Sequence, residues 1–211
     1  MIEQKLIVGR LINLPPRAVL RPNYLKGDFV SLQPLRLTVQ QSTGLIEKTS
    51  RIIEGTGRRE HRNFQWLEYF PGAITEIPLG KLDVLTGKMS GCWIVIYKKP
   101  PDGVLTVAHI GTEDSPQADG TVAVKNAWNT FAGSHSPGTI IAGFRPSDAW
   151  DFPFPTRTSE DSGGEIYGLV TANRELYSVF AYVQRGRNPH LLRIAGIKKM
   201  DSAEYNELRY L

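Results

Sequence analysis

The chain is predicted to fold as an α/β protein, a β-rich layered sandwich of mixed sheets with a few flanking helices. Three observations predict this. Segments of period-two alternation recur along the chain, clusters of Gly, Pro, Asn and Asp separate them, and helical periodicity is confined to short stretches. The alternating segments are "LRLTVQ" (35–40), "CWIVIY" (92–97), "VLTVAHI" (104–110) and "LYSVFAYV" (176–183), with weaker cases at "LIEKTSRII" (45–53) and "FQWLEYF" (64–70). Turn chemistry falls at "YLKGD", "QSTG", "FPG", "KKPPDG", "TAN" and "RGRNP".

Helical signals are fewer. "TVAVKNAWNTFAG" (121–133) sets Val124, Trp128 and Phe131 on one face, with Gly133 as a stop. "DSAEYNELRY" (201–210) opens on a capping-box pattern, Asp201 answered by Glu204. "PSDAW" (146–150) is predicted to make a short turn of helix. At 211 residues one core suffices, so residues 1–211 are expected to form a single domain.

Composition narrows the function classes. The formal charge of +4 is spread among 25 basic and 21 acidic residues, which describes a solvated basic surface rather than a nucleic-acid site. Short basic clusters stand at "GRREHR" (57–62), "QRGR" (184–187) and Lys198–Lys199. No apolar run approaches membrane-spanning length, and the N-terminal stretch is broken by Arg10, Asn13 and two prolines. The expectation is a monomer without a membrane or nucleic-acid partner. Any export would use a route without a cleaved signal. A single cysteine cannot form an internal disulfide, which fits a reducing compartment.

That cysteine, Cys92, and His109 begin and end the two clearest alternating segments. In an antiparallel hairpin of 92–98 with 104–110, a four-residue loop "PPDG" pairs Lys99 with Val104 and leaves His109 diagonal to Cys92 on the same face. A six-residue loop sets them directly opposite, and a five-residue loop separates them. On one face, an imidazole can take the proton of the thiol, and Cys92 becomes a nucleophile for a carboxamide carbon. In "SGC", Gly91 would let the chain turn tightly, so that backbone N–H groups at Ser90, Gly91 and Cys92 point at an oxyanion. The group orienting the imidazole is either the Thr86 hydroxyl, in the preceding loop, or a backbone carbonyl. Against this stands the bland reading: a buried small cysteine and a satisfied strand histidine, in a binding module whose Cys92 is inert.

The ordered trio of Thr86, "SGC" ending at Cys92, and "AHIG" with His109 resembles bacterial glutamine deamidases built on the catalytic-domain fold of the cytotoxic necrotizing factors. That group includes Burkholderia lethal factor, to which the likeness is greatest, and the chemoreceptor glutamine deamidases. It extends through "FQWLEYFPGAITEIPLG", "HIGT" with the Trp128 segment, and "GLVTANRELYSVFAYV" (168–183), spanning most of residues 60–200. Residues 1–55 show no match. The resemblance implies a cofactor-free toxin or effector that converts a glutamine of a protein substrate to glutamate through a thioester on Cys92. Substrates in the group include small GTPases, a translation factor and chemoreceptors, so the substrate's identity does not carry over.

Other motifs compete. "LTVAHI" followed by "EDSGGE" imitates the histidine and serine motifs of trypsin-like proteases, with Ser162 as nucleophile, His109 as base and Asp114 or Asp148 between them. Ser162 follows His109 by only 53 residues, and Glu160 stands where a glycine is needed. A turn is the commoner use of "EDSGG". His61, His135 and His190 form no ligand pattern, so neither a metal nor a cofactor is expected. Trp93 points away from the Cys92 face and belongs to the core if the hairpin is right.

Overall fold

The computed structural model describes residues 2–13, 23–41, 49–54, 62–151, 153–186 and 191–211. The turn signals at 42–44 and 187–189, the start of the weak strand at 45–48, most of the basic cluster at 57–62, and His61 and His190 lie outside the described residues.

Thirteen strands among the described residues divide into two mixed sheets. In chain order they are β1 (Leu11–Asn13), β2 (Phe29–Ser31), β3 (Leu35–Gln41), β4 (Thr49–Glu54), β5 (Asn63–Leu67), β6 (Ile74–Pro78) and β7 (Asp83–Met89). There follow β8 (Trp93–Lys99), β9 (Val104–Ile110), helix α1 (Asp119–Ser134), β10 (Ile140–Phe144), β11 (Asp161–Val170), β12 (Leu176–Gln184), β13 (Leu191–Met200) and helix α2 (Tyr205–Arg209). Eight strands close a barrel in the order β1-β13-β12-β11-β7-β5-β3-β4, and five make an open sheet, β10-β8-β9-β6-β2. Parallel pairs occur at β1/β4, β5/β7 and β2/β6; the other pairs are antiparallel.

Three layers result, and alternation explains each. Inward residues of the barrel, among them Leu37, Phe64, Trp66, Leu85, Leu169, Val179 and Ile194, fill its interior. Val84 and Val170 point outward from the barrel wall and meet Ile94, Ile96, Ile77 and Val107 of the open sheet. The opposite face of that sheet, carrying Trp93, Val95, Tyr97 and Ala108, packs on Val124, Trp128 and Ala132 of α1. The indole of the fully buried Trp128 donates to the Leu208 carbonyl at 2.6 Å, which ties α1 to the C-terminal helix. Trp93 therefore sits on the face away from Cys92, as the alternation predicts.

Several local expectations are corrected. Helix α1 runs through Gly133 and ends at Ser134, so Gly133 is not its stop. Glu204, not Asp201, is the N-cap of α2, and it makes no side-chain capping bond. "EDSGG" is a turn only at its start, where the Asp161 N–H donates to the Thr158 carbonyl at 3.2 Å; Asp161–Gly164 open β11. The expected turn at "PSDAW" is present as a 3-10 segment, Pro146–Ala149.

Candidate active site

The hairpin that carries the predicted pair adopts the four-residue register. Lys99 pairs with Val104, Ile94 with His109 and Trp93 with Ile110. Cys92 immediately precedes β8 and is two residues from Ile94, so it shares the Ile94–His109 face and stands diagonal to the histidine. Positions so related lie about 7 Å apart at Cβ, within reach of an imidazole. Both side chains belong to the face covered by the barrel.

The barrel supplies the third residue. Thr86 is not in a loop as expected; it lies inside β7, paired to Gly168 of β11 and to Leu67 of β5. Like Val84 two residues earlier, it points out of the barrel. Its Oγ1 lies 2.6 Å from His109 Nδ1, a bond between the two sheets made by completely buried side chains. Of the two orienting groups left open by the sequence, the hydroxyl is the one in contact. A register shift between β7 and β11 follows directly, opposite Ile166 and Tyr167. Gly87 permits it: a Cβ there would stand 2.4 Å from Tyr167 Cδ1.

The remaining imidazole nitrogen, His109 Nε2, is buried without a hydrogen-bond partner among the described residues. Burial pushes the ring down to about 3, so it is neutral at ordinary pH. Tyr69 packs against it with ring centroids 5.1 Å apart and donates its hydroxyl to the Thr112 carbonyl at 2.6 Å.

Cys92 Sγ lies 3.5 Å from Thr112 Oγ1 and makes its hydrogen bond there rather than to the ring. Burial raises the thiol above its ordinary value, while the Thr112 hydroxyl and the backbone N–H groups of Thr112, Gly91 and Ser90 work in the opposite sense. Ser90 and Gly91 thus set backbone N–H groups beside the sulfur, whereas the "SGC" reading expects them to face an oxyanion. A bend at Ser90 and Gly91 carries the chain from β7 to β8, as expected, without a left-handed backbone at Gly91.

Cys92 is 3% exposed and contributes to the lining of a cleft. This cleft, of about 360 Å³, is lined by Cys92 with Tyr69, Ser90 and Thr112, by Gly163–Glu165 of β11, and by the charged Lys88 and Asp114. His109 lies behind that lining. A larger cavity of about 430 Å³ lies toward the other end of β8, around Ser31, Glu76 and Lys99. There the buried Glu76 carboxylate accepts from Ser31 at 2.6 Å and also from Tyr97 and Lys99, a satisfied anchor with no nucleophile–base geometry.

The competing serine site is not assembled. Ser162 Oγ donates to the Val183 carbonyl at 2.9 Å, and His109 is committed to Thr86. Asp161 is buried; burial would raise its carboxyl, but Arg193, Thr158 and Gln184 hold it well below the usual range. Sequence reasoning misses Tyr69 and Thr112. Thr112 has a faint signal as the last residue of "HIGT", whereas Tyr69 has none, because only the fold brings β5's exit under β9.

Neither a protein family nor a curated protein sequence matches the chain. Among solved structures it is similar to the C-terminal domain of CNFy from Yersinia pseudotuberculosis, at 9% identity and a TM-score of 0.27, over 81% of this chain and 89% of that one. A superposition so loose carries no argument, and the site is read from its own geometry.

Proposed function

We propose that this chain is a cysteine-dependent deamidase that hydrolyses a glutamine side chain of a protein substrate to glutamate, acting as a bacterial effector on a protein of a target-cell cytosol. The observation that carries the reading is the Thr86–His109 bond at 2.6 Å, which fixes a neutral imidazole on the face it shares with a cleft-lining thiol. The ordered motif trio of the sequence supports the amide as substrate.

The chemistry follows from the protonation states. For His109 to act as base, Nδ1 carries the proton and donates it to Thr86 Oγ1, leaving the Nε2 lone pair free. Burial keeps thiol and imidazole both neutral at rest, so the proton leaves sulfur as the sulfur attacks, not beforehand. Rotation of the Cys92 side chain away from Thr112 brings Sγ toward Nε2. The sulfur attacks the amide carbon, the proton passes to Nε2, and the carbonyl oxygen becomes an oxyanion facing the backbone N–H groups around Ser90 and Gly91. Collapse breaks the C–N bond, the imidazolium returns its proton to the departing nitrogen, and ammonia leaves a thioester. Water, deprotonated by Nε2, then attacks the thioester and restores the thiol as glutamate is released.

A second reading, an inert thiol in a binding module, is favoured by the raised thiol and by its bond to Thr112 rather than to the ring. Incubation of a target-cell lysate with the wild-type chain and with Cys92→Ser, followed by peptide mass mapping, separates the two. A gain of about one dalton at a particular glutamine, seen with the wild type alone, is expected for amide hydrolysis through a thiol. Identical maps would remove the deamidase reading.

A further inference from the structure

One wall of the cleft is an unfinished sheet edge. Strand β11 spans Asp161–Val170 and is paired with β12 along this length, apart from a bulge at which Ser162 and Gly163 face Val183. On its other side, β7 pairs only from Ile166 onward, because β7 ends at Met89. Arg157 covers the carbonyls of Asp161, at 3.1 Å, and of Ser162. Gly163, Gly164 and Glu165 remain as an edge without a strand partner among the described residues, and all three line the Cys92 cleft. Exposed edges are normally blunted by bulky charge or proline; here charge stands only at Glu165, Gly164 leaves room for the Phe180 ring, and Gly163 leaves the edge open to another backbone. A Cβ at Gly163 would meet no atom within 4 Å. Three-residue pairings are sufficient elsewhere in this fold, as β1 and β2 show.

We infer that the substrate enters as an extended segment that pairs with β11 at Gly163–Glu165, turning its glutamine toward Cys92, and that the segment carries basic residues beside the glutamine. The inference rests on the deamidase reading of the cleft. The occupant's charge follows from the lining: Lys88 is paired with Glu165 at 3.1 Å, which leaves Asp114 as the net negative charge of the cleft. Strand addition supplies affinity through main-chain bonds, while the pocket between them selects the side chain.

Backbone pairing has a period of two, which gives the test its logic. The probes are the peptide Ac-Lys-Val-Gln-Val-Lys-amide, its Glu-flanked counterpart, and two singly N-methylated forms of the Lys peptide, one methylated on the glutamine nitrogen and one on the following valine nitrogen. Ammonia release by the wild-type chain is read for each, and hydrogen exchange of the Gly163–Glu165 amides is read on the Cys92→Ala chain. The expected result is that one methylation lowers release about tenfold, the worth of one hydrogen bond, while the other leaves it within about twofold. The Lys-flanked peptide is expected to exceed the Glu-flanked one, and to slow exchange along the edge. Equal behaviour of the two methylated peptides, or ammonia release without slowed exchange, overturns the strand-addition inference. Slowed exchange without ammonia release from any peptide keeps the docking edge and removes the deamidase reading instead. If there is neither slowed exchange nor ammonia release, the docking edge is rejected.

Discussion

Thr86 and His109 lie on different sheets, yet Oγ1 and Nδ1 are 2.6 Å apart in a completely buried contact. The barrel thus orients a side chain that belongs to the open sheet, on the face that Cys92 shares. The proposed catalytic geometry depends on the packing of two layers as much as on either hairpin.

Thr86→Val removes the hydroxyl while keeping the shape, and leaves His109 Nδ1 buried without a partner. A loss of about 1–3 kcal/mol in urea denaturation is expected, because a buried polar group is left unsatisfied. Ammonia release should fall by more than stability explains, and Thr86→Ser should restore both. Full activity in Thr86→Val would show that the hydroxyl does not orient the ring.

The buried imidazole gives stability a characteristic pH dependence. Its folded value is lowered from 6.5 to about 3, so between these values the unfolded chain binds the extra proton and stability rises with pH. The stabilisation is fully present above 6.5 and is lost as pH falls toward 3. Urea midpoints measured across that window should decline steeply on acidification for the wild type and less steeply for His109→Asn. Parallel slopes would mean that the ring is solvated or already charged.

Cys92→Ser keeps the size of the side chain and offers a hydroxyl to Thr112. Stability is expected to stay within about 1 kcal/mol of the wild type, since a hydrogen-bonded replacement leaves no buried group unpaired. Ammonia release should disappear. A large fall in thermal midpoint with unchanged release would make Cys92 a packing residue.

Much of this arrangement is legible in the amino-acid pattern. The β8–β9 hairpin reads clearly because its β-branched and aromatic runs flank a compact turn, and a loop of even length places Cys92 and His109 on one face. Strand β7 is not legible. It is buried on both faces, between the barrel interior and the open sheet, so alternation is lost, and Gly87 with Lys88 interrupts it at the register shift. The pattern therefore sets Thr86 in a loop, even though it offers the hydroxyl as a partner for His109. Strand β11 opens on Asp161, Ser162, Gly163 and Gly164, residue types that favour turns, and only its two neighbours reveal it as a strand. Tyr69 and Thr112 join the site through contacts between elements, which local pattern does not encode.

Gly87→Ala tests the register shift that follows Thr86. The added methyl would lie 2.4 Å from the Tyr167 ring, so the ring or the strand that carries it must move. Overpacking of this kind costs about 1–3 kcal/mol. Because Thr86 is the adjacent residue, ammonia release should fall together with stability, as measured by urea denaturation and a coupled ammonia assay. An unchanged midpoint would show that the two strands yield without strain.

The most direct test of the central claim, that the imidazole withdraws the proton of the thiol, is the rate at which iodoacetamide alkylates Cys92 at pH 7 in the wild type and in His109→Asn, each confirmed folded by its thermal melt. General-base assistance is worth about 100-fold or more, so a fall of at least that order is predicted on removing the ring. Equal rates in two equally folded proteins would contradict the pairing and return Cys92 to the core.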